Sequence, residues 1–182
     1  AIQASDAAPR SPVASELPWL SSPGLRDVLR SRARQAELLG SKTRLPEALE
    51  QCRLGMKESE HQHDVHHAHV FTLLTAELEA ASGNGAASEV SLMQLAKELD
   101  QQLQLRDSFT VKVYCTLGML QQRMGKRQES RSSFQRALTL LEDIASAAGY
   151  DATTPLELMP RYLPQVAVMT HLKATLQVGG YQ

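Results

Sequence analysis

Histidine is concentrated in one short stretch, because five of the six histidines lie between residues 61 and 69, in the segment HQHDVHHAH. His63 and His67 are four residues apart, so a helix would place both imidazoles on one face, where they could chelate zinc or copper. His66 and Asp64 could add ligands. The sequence has no HExxH arrangement and no identifiable remaining ligand. We therefore interpret the stretch as a polar helix face or a pH-sensitive contact, with His63, His66 and His67 as weak metal candidates, and predict no cofactor.

The two cysteines, Cys52 and Cys115, both fall within apolar helical patterns, where a free thiol behaves as a small hydrophobe. A disulfide is the alternative, but a chain with a full helical core has little need of one. We expect two free thiols and a reducing environment.

Signatures of catalysis are not found in the sequence. No glycine-rich phosphate loop follows a strand pattern, and no Gly-x-Ser-x-Gly elbow occurs. Gly83-Asn84-Gly85 reads as a turn, and the carboxylate pair Glu77 and Glu79 has ordinary surface spacing. The sequence therefore predicts a protein that is not an enzyme.

The charge balance gives no general attraction to polyanions. Nineteen basic and twenty acidic side chains leave a formal charge of -1. Basic residues cluster at 26–34 and 126–136, but acidic neighbours balance them and no aromatic residues are interleaved for base stacking. No apolar run reaches the roughly 20 residues that a membrane-spanning helix needs. Neither a nucleic-acid partner nor a membrane span is predicted.

Helix formers dominate the composition, aromatic residues are only 4% of the chain, and alternating β-branched runs are scarce. Apolar periodicity predicts seven helices and no strand. The first ends at Gly40, the second has Pro46 in its first turn, and Ser88 is the expected N-cap of the fourth. A proline-containing loop then leads to a last helix through Val166 and Leu176.

The clearest pattern lies in residues 111–142. Val113, Leu117, Leu120 and Met124 form one apolar stripe, and Gly125 is placed to end that helix in the left-handed conformation. A second stripe follows, made of Phe134, Ala137, Leu138 and Leu141. The small residues Gly118 and Ala137 would let the two backbones approach closely, with Phe134 between them.

This segment resembles a tetratricopeptide repeat or the related pentatricopeptide repeat. The residues that carry the resemblance are Tyr114, Leu117-Gly118, Gly125, Ser130, Phe134 and Ala137, and the pattern departs at Gln121 and Arg127. The resemblance implies an all-α fold of antiparallel helix pairs stacked as a degenerate repeat array that binds proteins. The uneven spacing of the helix starts keeps a globular helical bundle as the structural alternative.

Residues 1–23 are rich in Pro, Ser and Ala and precede a helical domain at 24–182. The arm lacks the central apolar block of a signal peptide. Its Leu17, Trp19 and Leu20 would be costly to leave in water, so we expect them to pack on the domain or a partner. The chain begins without Met, which fits either routine Met removal or cleavage of a targeting sequence. We expect a mitochondrial protein, with a cytoplasmic location as the alternative.

These observations predict a non-catalytic scaffold that binds protein subunits as a fixed part of a larger assembly. The expected partner-binding residues are Leu17, Trp19, Leu20, Lys112, Cys115, Met119, Gln122 and Arg123. Cys115 and Met119 stand where related repeats that clamp peptide carboxylates use Lys and Asn, so tail capture is not expected. Size and helix content are similar to the extra helical-repeat subunit on the catalytic head of euglenozoan mitochondrial ATP synthases. The alternatives are an RNA-binding helical-repeat protein and a metal-binding protein built on the histidine cluster.

Overall fold

A computed structural model describes residues 23–41, 43–102 and 108–147. Every regular element in these ranges is an α-helix, which confirms the all-α prediction for this part of the chain. The six helices are α1 (Pro23–Ser41), α2 (Leu45–His61), α3 (Val65–Ala81), α4 (Gly85–Gln101), α5 (Ser108–Arg123) and α6 (Arg127–Ala147). None of them is long and apolar enough to cross a membrane. The N-terminal arm and the predicted seventh helix lie outside the described residues.

Successive helices are antiparallel neighbours. The pairs α1 with α2, α3 with α4, and α5 with α6 each pack along their lengths, as the sequence predicted. Further contacts of α2 with α3 and of α4 with α5 join one hairpin to the next. The short turns leave the chain no room to travel elsewhere, so each helix must fold back on its predecessor.

Four turns between helices share one geometry. Each contains a residue with positive φ, and these residues are Thr43, His63, Gly83 and Gly125. In each case the next N–H donates to a carbonyl five residues earlier, at 2.9 or 3.0 Å. This is the Schellman closure, which satisfies carbonyls left over at the end of a helix. The predicted helix end at Gly125 is confirmed.

The three hairpins also share their packing register. Positions in each hairpin are counted from its turn residue, which is Thr43, Gly83 or Gly125. Small residues lie seven positions before and five positions after the turn residue, and a larger residue lies nine positions after it. All nine are buried. They are Ala36, Ala48 and Cys52 in the α1–α2 hairpin, Ala76, Ser88 and Leu92 in the α3–α4 hairpin, and Gly118, Ser130 and Phe134 in the α5–α6 hairpin. The register repeats after 40 and then 42 residues, although the spacing of the predicted helix starts had looked uneven.

The close approach predicted at Gly118 is confirmed. A Cβ added there would lie 2.8 to 3.0 Å from the ring atoms of Phe134, so only glycine fits beneath this ring. A comparable contact joins α2 to α3, where a Cβ on Gly55 would overlap the ring of Phe71. Both rings are almost completely buried. Backbone approach therefore depends on these glycines.

Two sequence predictions about particular residues are wrong. Ser88 is not the N-cap of α4, because that helix begins at Gly85 and Asn84 occupies the cap position. Ser88 is instead fully buried inside α4, and its Oγ donates to the Ala76 carbonyl at 2.7 Å. Met124 is not a core residue but is 37% exposed, since α5 ends at Arg123 and the chain turns there.

The core of the described residues consists of three apolar clusters that follow the chain. One lies among α1, α2 and α3, the next among α3, α4 and α5, and the last between α5 and α6. Helix α3 contributes to two of them, with Phe71 and Leu74 on one side and Leu73 and Ala76 on the other. The first two clusters each join one hairpin to a helix of the next, so no hairpin buries all of its apolar surface alone.

Candidate binding surface

The first helices of the three hairpins lie side by side. Helix α1 packs on α3 and α3 packs on α5, whereas the described second helices do not pack on one another to that extent. Glu37 of α1 and Lys112 of α5 both act electrostatically on Glu77 of α3, and Thr116 of α5 is hydrogen bonded to it. We call this side of the molecule, defined by Glu37, Glu77, Lys112 and Thr116, the first-helix surface.

Helix α5 supplies the predicted partner-binding residues that the structure describes. Lys112, Gln122 and Arg123 are exposed, and Met119 is exposed over 45% of its surface although it is apolar. Cys115 is half-buried and packs against the α5–α6 cluster, in agreement with its place in an apolar helical pattern, and only part of its surface is exposed. The other three predicted residues, Leu17, Trp19 and Leu20, lie outside the described residues.

A pocket of about 170 Å³ opens between α3, α4 and α5. Half of its lining residues are apolar, and Glu77, Thr116 and Arg123 add a carboxylate, a hydroxyl and a guanidinium. The complete lining is Glu77, Ala80, Ser88, Leu92, Thr116, Met119, Leu120 and Arg123. Two of the predicted residues, Met119 and Arg123, therefore belong to one site. The pocket combines apolar walls with polar groups, as recognition sites do.

Glu77 is the polar group of this pocket that the sequence interpretation missed. Its carboxylate is partly buried, and desolvation raises its pKa above the usual range, against the opposing effect of Lys112. Thr116 Oγ1 donates to Glu77 Oε1 at 3.2 Å, and no ion pair to Glu77 occurs among the described residues. The signal in the sequence was its position: Glu77 falls between the two apolar faces of α3, four residues after Leu73 and three after Leu74.

A buried polar network holds α4 against the third hairpin near this surface. Glu89 of α4 is 6% exposed and accepts hydrogen bonds from Gln121 Nε2 at 3.3 Å and Lys126 Nζ at 2.5 Å. Ser133 of α6 in turn donates to Gln121 Oε1 at 2.7 Å. The bond from Lys126 is the main reason that the pKa of Glu89 is lowered. Pairing of this kind fixes the relative position of neighbouring elements.

The two cysteines are free in the structure, as predicted. Burial raises the pKa of the Cys52 thiol, and it raises the pKa of Cys115 to about 11. A thiol is nucleophilic only as the thiolate, so neither environment activates its sulfur. Both behave as small packing residues.

The histidine cluster does not converge on one point. His63 occupies the α2–α3 turn with φ of 55°, while His67 Nδ1 lies 2.9 Å from Asp64 Oδ2. Asp64 also caps α3 by accepting the His67 N–H at 3.1 Å, which explains why an aspartate precedes this helix. His66 packs edge-on against His67 and Phe109. Among the described residues, no group of three or more His, Cys, Asp or Glu side chains is arranged to hold a metal ion.

Comparisons with protein-family models, with curated proteins and with solved structures gave no significant match to this chain. Its function must therefore be inferred from its own residues and their arrangement.

Proposed function

We propose that this chain is a non-catalytic helical-repeat scaffold of the tetratricopeptide or pentatricopeptide type that binds another protein as a fixed accessory subunit of a larger assembly. Three hairpins with one turn geometry and one packing register support the repeat interpretation. Stacked repeats of this kind build extended surfaces that serve for protein binding.

The observation that carries the proposal is the first-helix surface. The exposed Met119 lies beside a pocket that holds the partly desolvated Glu77, and both are set on helices fixed by buried packing. A partner lying over this site would cover the apolar side chain of Met119 and could pair with the recessed carboxylate of Glu77. Rigid helices also hold such a site in place, which lowers the entropic cost of ordering it on binding.

A narrower proposal is that the assembly is a mitochondrial ATP synthase, with this chain attached to its catalytic head. Its support is the likeness in size, helix content and repeat architecture stated above, which is an argument from fold. A mitochondrial location is part of the same proposal.

The two alternatives have less support. The histidines that would have held a metal are not arranged around a common point, since His67 is bound to Asp64 and His63 lies in a turn. For RNA, the first-helix surface offers acidic as well as basic groups and no exposed aromatic ring among its defined residues. Salt-sensitive binding of single-stranded RNA by the purified chain would favour that alternative over the scaffold.

Site-specific photo-crosslinking in cells of the source organism tests the proposal. A photoreactive residue replaces Gln122 on the first-helix surface, and the matched control replaces Gln135, which is also an exposed glutamine but lies on α6. We expect a discrete protein adduct from position 122 and a much smaller yield from position 135. No adduct at position 122, or equal yields at both positions, would contradict a partner on this surface.

A further inference from the structure

The pocket between α3, α4 and α5 contains a charge that the described residues leave incompletely compensated. Glu77 has one hydrogen bond, from Thr116, and its carboxylate is partly removed from water. A carboxylate in this position gains more from a cation placed in contact with it than an exposed carboxylate does, because water screens the new pair less. The pocket wall also has apolar residues, among them Ala80, Leu92 and Leu120.

We propose that this pocket receives a lysine side chain from a segment of the partner protein that lies along α5. The inference rests on the proposed function and names the chemistry that the partner must present. A lysine has a four-carbon stem that packs on apolar walls and a compact ammonium group at its end. The stem would contact the apolar wall beside Met119, and the ammonium group would reach Glu77 and the Thr116 hydroxyl.

The local cations Lys112 and Arg123 do not outweigh this attraction. Both are exposed, so water and salt screen their repulsion of an incoming ammonium group. Glu77, in contrast, would touch that group inside the pocket. Arg123 at the pocket wall is also free to meet an acidic residue or a backbone carbonyl of the same partner segment. The site therefore favours a lysine whose neighbours are acidic or neutral over a run of basic residues.

The test selects peptides from a random dodecapeptide display library against the whole folded chain and measures their affinities. We expect the enriched peptides to share a lysine beside an apolar or acidic residue. Replacing that lysine by methionine should weaken binding by about tenfold or more, and Glu77→Gln should do the same. With both changes present, the loss should not increase further. The matched control is Glu79→Gln on the same helix, since Glu79 does not line the pocket.

The outcomes separate this inference from the proposed function. Peptides that bind but lack a shared lysine, or that bind the Glu77→Gln and Glu79→Gln variants equally well, overturn the lysine pocket and leave the scaffold proposal standing. A library that yields no binder also overturns it, and the crosslinking experiment at Gln122 then decides whether the scaffold proposal fails as well. Circular dichroism of each variant shows whether it is folded. A Glu77→Lys variant gives a second readout, because it should prefer peptides in which the lysine is replaced by glutamate.

Discussion

Alanine at Gly55 should destabilise the fold, although alanine is normally the better helix former. In an exposed helix interior, Gly→Ala stabilises by about 1 kcal/mol. At Gly55 the new Cβ would overlap the tip of the Phe71 ring, which is fully buried in the cluster formed by α1, α2 and α3. Overpacking of this kind costs about 1–3 kcal/mol. Because the ring cannot withdraw, we take the upper part of that range and expect a net loss of about 1–2 kcal/mol.

The matched control is Gly85→Ala. Gly85 is the first residue of α4, and a Cβ there would meet Leu120 Cδ1 and Met124 Sδ at 3.6 Å, which is ordinary contact. This variant should be at least as stable as the wild type. Urea unfolding followed by circular dichroism at 222 nm measures both variants, and the transition midpoint reports the change where the slope is unchanged.

A double variant tests the mechanism. Phe71→Leu removes the outer ring atoms that the Gly55 Cβ would overlap, so Gly55→Ala should cost less in that background than in the wild type. We expect a coupling free energy of about 0.5–3 kcal/mol between the two sites. If Gly55→Ala is neutral or stabilising, or if the two changes are simply additive, the close packing of α2 on α3 described above is wrong.

Three further predictions concern backbone, charge and thiol chemistry. His63 and Gly125 both have positive φ, so His63→Gly should stabilise the protein by roughly 0.5–1 kcal/mol and Gly125→Ala should destabilise it by about 1 kcal/mol. Midpoints of urea unfolding that move in the opposite directions would contradict this. The pKa of Glu89 is lowered below its ordinary 4.5, chiefly by the hydrogen bond from Lys126. The ionised Glu89 therefore contributes its full stabilisation of the fold above pH 4.5, and this contribution is lost as the pH falls through the lower, folded-state pKa. The free energy of unfolding of the Glu89→Gln variant should therefore fall less steeply than that of the wild type between about pH 5 and 3. The same pH dependence in both proteins would refute the pairing of Glu89 with Lys126. Burial raises the pKa of Cys115 from 9.0 to about 11, so at pH 8 it should react with iodoacetamide at least about 100-fold more slowly in the folded protein than in the urea-unfolded chain. The mass of the peptide that contains Cys115 measures the reaction, and equal rates would contradict its burial.

Periodicity was enough to predict the helices and their pairing in the described part of the chain, and the glycines at Gly83 and Gly125 were enough to predict two turns. The same turn geometry at Thr43 and His63 could not be predicted, because neither is a glycine and both adopt positive φ only in the context of packed helices. The common register of the three hairpins was missed for this reason. It is measured from the turn residues Thr43, Gly83 and Gly125, and Thr43 was not recognisable as a turn residue.

The errors at single residues have a common physical origin. Serine is favoured both at helix N-caps and at close helix contacts, and for Ser88 the bond to the Ala76 carbonyl decides between them. Glu77 was interpreted as a surface residue because its type is usually exposed. The arrangement of α3 between two apolar clusters shows that its carboxylate is recessed beside Thr116. Met119 was predicted as a contact residue from its slot in the repeat pattern, and its exposure and position beside the pocket are compatible with that interpretation.

The most direct test of the central proposal is the native mass at which this chain migrates in a gently prepared extract of its source organism. Blue native electrophoresis, followed by detection of the chain by mass spectrometry, gives this value without any modification of the protein. A chain of 20.0 kDa that serves as a fixed accessory subunit should migrate almost entirely within a much larger complex and co-purify with its other subunits. Migration only as the free monomer, with no co-purifying protein, would contradict the proposal.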